Sequence, residues 1–443
     1  MSEHPIELST RIIESGHADE PVNRITGELS ELSDDVALVE SFSHMVAVRT
    51  NGGLVVFDTS GRKTGPAVVD ALRSWSTEPI HSVVYTHGHL DHVGGSPAVA
   101  ADATARSHAM PQVIGHENVN RRLDRYAMTD GYNRVINLRQ FGGAPRGRPD
   151  DAAAPTRTFL DPDTLRADVE YADTLTETIG STTFEFRHAL GETDDHTWTW
   201  IPEHSMICAG DQFIWNFPNC GNPQKVQRYP MEWAASLRAM AAVGAELFVP
   251  AHGLPIAGRE RIATCLDVVA TTLEVLVADV IDAMNSGATL DEIVHSVGVD
   301  EATLQLPYLR PLYDEPEFVV RNIWRLYGGW YDGTPSRLKP APDGALGAEV
   351  AALAGGADAL VQRARALAEE GDLRLACHLA DFAASADPES ATVHAVRAEI
   401  YEVRRKAESS LMAKGIFASA KAESEYVVTG EAARPRMRFG LGE

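Results

Sequence analysis

The sequence predicts an α/β layered domain in residues 1–258, followed by an all-α region that divides into residues 259–345 and 346–443. Two patterns predict this order. Short segments rich in β-branched residues alternate with helical segments over the first ~255 residues, as expected for strands and helices that pack in layers. Beyond Gly258, apolar residues recur at a spacing close to 3.6, which indicates helices. The length of 443 residues agrees, because a domain averages about 150 residues.

The first region opens with a predicted hairpin. Strand patterns at residues 36–49 and 53–58 are joined by a turn at residues 50–53 that contains Gly-Gly. Asp58 and Thr86 stand at strand ends, where layered α/β proteins place their chemistry. The other predicted elements are helices at 66–76 and 109–135, a Pro/Gly-rich loop at 143–157, and strands at 81–85, 181–187, 197–202, 204–209 and 246–250.

The helical region begins with a long amphipathic pattern at residues 259–285 that ends at Ser286-Gly287. Thr289 and Glu292 have the spacing of a capping box, which predicts the start of the next helix. Further helices are predicted at 316–327, 357–370, 373–386 and 389–413.

Composition excludes several function classes. The chain has 63 acidic and 39 basic residues, and its formal net charge is -24. Such a charge argues against binding nucleic acid or docking on anionic lipid. Four cysteines without a C-x-x-C pair fit a reducing compartment, and no signal peptide or membrane span is visible. We therefore expect a cytoplasmic protein with neither nucleic acid nor membrane as a partner.

One motif carries most of the predicted chemistry. A buried strand runs directly into T-H-G-H-L-D-H-V-G-G, so three histidines and one aspartate fall within six residues. Imidazole and carboxylate ligands together suit Zn²⁺, and a turn before a helix brings them into one volume. The motif residues are His87, His89, Asp91 and His92.

This H-x-H-x-D-H motif resembles the signature of the metallo-β-lactamase superfamily, which implies an αββα sandwich for the first domain. The resemblance extends to H-A-L-G-E-T, where Glu192 stands in place of the usual histidine, and to Asp211 and His252 after later strands. It implies two zinc ions per chain. One would be held by His87, His89 and Glu192, the other by Asp91, His92 and His252, with Asp211 bridging.

Glu192 and the segment N-I-W-R-L-Y-G-G-W-Y-D-G-T-P at residues 322–335 are similar to the alkyl sulfatase branch of that superfamily. This similarity implies an all-α dimerisation region and a homodimer. Alkyl sulfatases end in a sterol-carrier-like domain, which we expect this chain to lack. They also carry a histidine, which acts as the leaving-group acid, at the position of Trp215.

Candidate residues for substrate binding are Arg228, Asn118 and the cluster of Arg121, Arg122 and Arg125, with Trp215 as an apolar wall. Candidate proton donors are His196, Tyr229 and Lys225, and Asp91 is a predicted catalytic residue as well as a metal ligand. His196 has a second interpretation, as a supporting partner of Glu192 or Asp211.

The sequence therefore predicts a dinuclear zinc hydrolase that cleaves an ester of a small organic substrate. The alkyl sulfatase resemblance favours a sulfate ester, attacked by a hydroxide that the metals provide. Carboxylic esters, lactones and phosphodiesters stay open on the same metals. A rival from another class is a helical assembly protein in which the first domain is only a scaffold.

Overall fold

The computed structural model describes residues 3–144 and 158–431. It confirms the predicted fold class, because two mixed β-sheets pack face to face with helices on their outer sides, and helices follow. The chain forms two compact units: Met1–Asp130 with Thr158–Trp330, and Gly131–Arg157 with Tyr331–Glu443.

The first sheet has seven strands in sequential order. Its first four strands form an antiparallel meander, and the predicted hairpin is present because Thr50 pairs with Gly53. The last four are parallel neighbours. The strands are Leu29–Ser33 (β1), Val36–Val39 (β2), Met45–Thr50 (β3), Gly53–Phe57 (β4), Ile80–Val84 (β5), Gln112–His116 (β6) and Val169–Tyr171 (β7).

The second sheet has six strands. Its strands are antiparallel neighbours except for one central parallel pair, β11 with β12. They are Thr174–Ile179 (β8), Thr182–His188 (β9), Thr197–Ile201 (β10), Met206–Gly210 (β11), Leu247–Pro250 (β12) and Ile256–Ala257 (β13).

The α-helices of the described residues are divided between the two compact units. They are Pro5–Ser15 (α1), Gly65–Trp75 (α2), Leu90–Val93 (α3), Ser96–Ala105 (α4), Glu117–Met128 (α5), Asp130–Gln140 (α6), Pro230–Ala242 (α7), Arg259–Asn285 (α8), Leu290–Ser296 (α9), Glu301–Leu304 (α10), Pro316–Gly328 (α11), Pro335–Leu338 (α12), Asp343–Ala354 (α13), Ala357–Glu370 (α14), Leu373–Ala386 (α15), Ala391–Ala407 (α16) and Leu411–Thr429 (α17).

Three apolar cores hold the layers of the first unit together. Between the sheets, Phe57 and Val84 of the first sheet pack with Phe186 of the second, and all three are buried. A second core lies under α2, α4 and α5 on the first sheet. A third joins the second sheet to α1, α7, α8 and α11. The strand ends that carry the predicted ligands are fixed by this packing.

The compact units divide the chain differently from the three expected domains. Helix α8 lies in the first unit because its apolar stripe, which includes Ile262 and Leu273, packs in one core with Phe248 of the second sheet. The division therefore falls after Trp330, and residues 259–330 belong with the sandwich rather than with the later helices.

Two local predictions differ from the structure. Residues 112–116 form strand β6 where a helix was expected, because Val113 and Ile114 are buried beside β5 in a parallel ladder. The predicted helix at 389–413 is two helices, and the Ser410 side chain accepts a hydrogen bond from the Ala413 N–H at the start of the second. The predicted loop at 143–157 lies almost wholly outside the described residues.

The long helix Arg259–Asn285 and the capping box at Thr289 and Glu292 are confirmed. Within the described ranges, no single helix has both the length and the hydropathy of a membrane span. One bent pair, α13 with α14 at 83°, meets those two criteria only when taken together.

We expect the stability of the fold to depend on pH through Asp314. This fully buried carboxylate accepts hydrogen bonds from the N–H groups of Gly221 (2.6 Å) and Glu315 (2.8 Å). Burial raises the pKa of Asp314 to about 7, above the ordinary value of 3.8. Its stabilising contribution is therefore complete below about pH 4 and is lost as the pH rises to 7, by at most about 1.4 kcal/mol per pH unit.

Urea unfolding of the wild type and of Asp314→Asn at pH 5 and pH 7.5 measures this effect. The difference in unfolding free energy between the two proteins should shift in favour of the variant at the higher pH. Exposed Asp163 offers the matched control, Asp163→Asn, for which no such shift is expected. Parallel pH profiles for the wild type and Asp314→Asn would contradict the assignment.

Candidate metal centre

The predicted ligands follow strand ends from both sheets. His87, His89, Asp91 and His92 follow β5, and the last two lie on the short helix α3. In the second sheet, Glu192 follows β9, Asp211 follows β11 and His252 follows β12. Because β9 and β10 are antiparallel and β11 is parallel to β12, these three positions share one edge of that sheet. The structure brings all seven residues together.

The first group joins the motif to the second sheet. The ring atoms His87 Nε2 and His89 Nδ1 are 2.8 Å apart, and His89 Nδ1 is 3.6 Å from Glu192 Oε1. One donor atom from each of the three residues lies within 4.8 Å of the others, a spacing at which one ion could contact all three.

The second group has the same form. His252 Nε2 is 3.3 Å from Asp91 Oδ2, and His92 Nε2 is 3.6 Å from the same oxygen. Asp211 Oδ2 lies between the groups, at 3.9 Å from His87 Nε2 and 3.5 Å from both His92 Nε2 and His252 Nε2. Asp211 is therefore placed where a carboxylate could contact ions in both groups.

Three buried atoms support a metal at this cluster. His92 Nε2, Glu192 Oε2 and Asp211 Oδ1 have no hydrogen-bond partner among the described residues. Buried polar atoms are normally satisfied, so orphaned atoms at one point indicate a missing positive partner. Four imidazoles with three carboxylates are also the donor set that suits Zn²⁺. The residues present fit the metal.

Neighbouring groups fix the ring orientations. Asp58 Oδ2 is 2.7 Å from His92 Nδ1, and the same carboxylate accepts hydrogen bonds from the backbone and the hydroxyl of Thr86. The Phe42 carbonyl lies 2.5 Å from His252 Nδ1. Because these contacts use the Nδ1 atoms, the Nε2 atoms of His92 and His252 are left to bind a metal. Burial also lowers the pKa of His87 well below its usual value, which keeps the ring neutral as metal binding requires.

The predicted substrate-binding residues are not brought together. Arg228 is buried and its Nη1 donates to Glu192 Oε1 at 2.6 Å, so its charge is already paired with a predicted ligand. The Arg121 side chain is 68% exposed and pairs with Glu117 at 3.0 Å, because it lies on the outer face of α5. Asn118 donates to the Asp194 carbonyl at 2.9 Å and supports a loop rather than a substrate.

Trp215, His196 and Tyr229 have different surroundings. Trp215 is fully buried, donates to the Leu254 carbonyl at 2.7 Å and packs in the core, so it does not line an open pocket. His196 is fully buried, and its Nε2 accepts the backbone N–H of Asp211 at 2.9 Å, which fits the supporting role considered for it. Tyr229 is half-buried at the start of α7.

Sequence reasoning missed one supporting residue and expected a different role for another. Asn219 donates to Glu192 Oε1 at 2.6 Å, and nothing in its local pattern indicates this contact. Arg122 was a candidate for substrate binding, but it is buried and paired with Asp195. The helical period could have indicated this burial, since Val119, Arg122, Leu123 and Tyr126 form the buried face of α5.

Two family profiles match the chain. Residues 38–252 match the metallo-beta-lactamase superfamily, and residues 289–426 match the alkyl sulfatase dimerisation family. Together they cover all seven predicted ligands and most of the helices that follow.

Similar curated proteins are alkylsulfatases. A linear primary-alkylsulfatase from Pseudomonas sp. is 28% identical over 371 residues, which are 79% of this chain and 68% of the relative. An (R)-specific secondary-alkylsulfatase from Pseudomonas sp. is 26% identical over 381 residues, which are 81% of this chain and 56% of the relative. The chain thus spans little more than half of the second relative's length.

A solved structure shares the fold. The stereoselective inverting sec-alkylsulfatase Pisa1 from Pseudomonas sp. has a TM-score of 0.77 and 23% sequence identity. The match covers 91% of this chain and 66% of that chain.

Proposed function

We propose that this chain, whose residues 38–252 match the metallo-beta-lactamase superfamily, hydrolyses a sulfate ester of a small organic alcohol at two zinc ions. The convergence of seven ligand side chains at one point, with Asp211 between two groups of three, is the observation that carries the proposal. The alkylsulfatases among its relatives support the choice of a sulfate ester.

The two groups would hold one ion each, with Asp211 shared. Zinc bound there supplies Lewis acidity and lowers the pKa of water towards neutrality, so that hydroxide is available at pH 7. The chain's own carboxylates and imidazoles would hold the ions at these positions. Asp58, His196 and the Phe42 carbonyl restrict how the ligands can turn.

Lys225 is the cation that this proposal assigns to the anionic substrate. Arg228 is paired with Glu192, and Arg121 with Glu117, so neither guanidinium is available to a sulfate. Lys225 is half-buried and has no ion-pair partner within the described part of the chain, yet it lies in the field of Asp91 and Glu192. Burial lowers the pKa of Lys225 to about 8, which leaves the amine largely protonated at pH 7. Tyr229 remains a predicted proton donor.

Metal analysis and a substrate panel test the function. Purified protein should contain about two zinc equivalents and release sulfate from a medium-chain alkyl sulfate, and a chelator should remove both properties. Nitrophenyl acetate and a nitrophenyl phosphodiester serve as comparison substrates. Faster turnover of either comparison substrate would identify a carboxylic or phosphate ester, rather than a sulfate ester, as the preferred substrate class. Purified protein that contains no zinc would contradict the proposed metal centre.

The scaffold interpretation makes a different prediction for Asp91→Ala. An enzyme should lose turnover when this ligand is removed, whereas a scaffold should keep its cellular function. An inactive variant with unchanged cellular function would favour the scaffold.

We also propose that the chain forms a homodimer through its helical region, in line with the dimerisation profile. Helix α13 offers an apolar face, with Leu353 83% exposed and Leu346 45% exposed, seven residues apart on one side. Leu346→Glu/Leu353→Glu should convert the dimer to a 48.0 kDa monomer, as measured by light scattering at micromolar concentration.

Exposed Met128 on α5 provides the control, since Met128→Glu adds a charge to an apolar surface position outside the dimerisation profile. This control should stay dimeric. A dimeric α13 variant would exclude this helix from the interface, and a monomeric wild type would contradict the dimer itself.

A further inference from the structure

A buried ion pair lies next to the motif and contains none of the seven predicted metal ligands. Arg122 of α5 and Asp195, from the loop between β9 and β10, are 3% and 0% exposed. Arg122 Nε donates to Asp195 Oδ2 at 2.7 Å. The backbone N–H of Gly88 donates to the same oxygen at 3.0 Å. We call Arg122, Asp195 and the Gly88 N–H the Arg122 clamp.

The clamp connects three segments: helix α5, the motif after β5 and the loop between β9 and β10. Gly88 separates His87 from His89, and Asp195 follows Glu192 by three residues on the other sheet. Arg122 also donates to the Asp194 carboxylate, and Asn118 of the same helix donates to the Asp194 carbonyl at 2.9 Å. All of these contacts lie on the side of His87, His89 and Glu192.

The residues around Gly88 are closely packed. A Cβ built on Gly88 would lie 2.9 Å from both Arg122 Cδ and Asp195 Oδ2. Helix α5 is itself anchored, because Val119 and Leu123 are buried in the core under the first sheet. A carboxylate and a guanidinium buried together are held firmly, since separating them would leave one charge uncompensated.

We propose that the Arg122 clamp is a positioning device that sets the first metal group, His87, His89 and Glu192, independently of the second. This inference rests on the proposed function, since it assumes that the cluster binds metal. The second group has its own supports, Asp58 at His92 and the Phe42 carbonyl at His252. Loss of the clamp should therefore weaken the binding of one zinc equivalent and leave the binding of the other unchanged.

The test is a competition titration of metal-free full-length protein with Zn²⁺ against a chromophoric chelator. Arg122→Lys keeps the charge but cannot reproduce the Nε contact, and it should weaken one zinc equivalent by about 10- to 100-fold. The other equivalent should stay within about threefold of the wild type. Arg122→Gln/Asp195→Asn gives a second variant without a buried charge, should Arg122→Lys fold poorly.

Arg73→Lys is the matched control. Arg73 makes a similar two-nitrogen contact with Asp102 Oδ2, at 2.9 and 2.6 Å, between α2 and α4. This variant should bind both zinc equivalents as the wild type does. If the Arg122 variants bind both zinc equivalents with unchanged affinity, or bind both with equally weakened affinity, the positioning role of the clamp is contradicted. The proposed function would be unaffected by either result. A wild type that binds no zinc would overturn both the clamp and the proposed function.

Discussion

Asp211→Ala is expected to lower kcat/KM for the hydrolysed ester by at least about 10³-fold, equivalent to about 4 kcal/mol of transition-state stabilisation. Asp211 is the side chain within 4 Å of ligands from both groups, so its removal affects both metal positions at once. It also leaves four histidine rings facing one another without their central anion, which should reduce metal content.

Kinetics on the preferred ester and metal analysis of the same sample measure these two effects. The control is Asp163→Ala, which removes the same charge from an exposed turn and should behave as the wild type. An Asp211→Ala protein that retains both its zinc and its turnover would exclude Asp211 from the ligand set.

The second large effect concerns stability. Arg228→Ala should destabilise the metal-free protein by about 3–5 kcal/mol, because it leaves the buried Glu192 carboxylate without its counter-charge. Arg121→Ala should cost at most about 1 kcal/mol, since its ion pair with Glu117 is on the surface. Both variants replace an arginine that was predicted to bind substrate by alanine. The difference between their unfolding free energies therefore measures the effect of burial.

Urea unfolding of the chelator-treated variants gives the two free energies. Equal losses for Arg228→Ala and Arg121→Ala would show that the Arg228–Glu192 contact is not held in solution. A large loss for Arg228→Ala alone would assign Arg228 to the support of a ligand rather than to substrate recognition.

Local patterns predict much of this fold. The hairpin at Thr50 and Gly53, the helix Arg259–Asn285 and the capping box at Thr289 depend on neighbours in sequence, and all three are present. Strand β6 was missed because its short apolar pair, Val113 and Ile114, fits a strand or part of a helix, and only its ladder with β5 decides. The boundary between the two units could not be predicted because it depends on tertiary packing. The amphipathic pattern of α8 shows that one face is buried but not which element that face contacts.

The candidate site likewise has residues that the sequence predicts and residues whose roles depend on tertiary structure. The motif of His87, His89, Asp91 and His92 is visible within six residues, and the resemblance to the superfamily implies Asp211 and His252 after later strands. Arginine roles could not be assigned, because one residue of helical register separates exposed Arg121 from buried Arg122. Trp215 stands where the resemblance to alkyl sulfatases implies a histidine, yet its indole packs in the core.

The distribution of ligands over two sheets bears on how the protein is made. His252 is synthesised about 165 residues after His87, which takes on the order of 10–30 s at roughly 5–20 residues per second. During that interval the nascent chain presents three histidines and Asp91 first, and then gains Glu192, Asp211 and, last, His252. An ion captured on the ribosome would meet an incomplete cage, and the full ligand set exists only after translation has passed residue 252 and both sheets have packed.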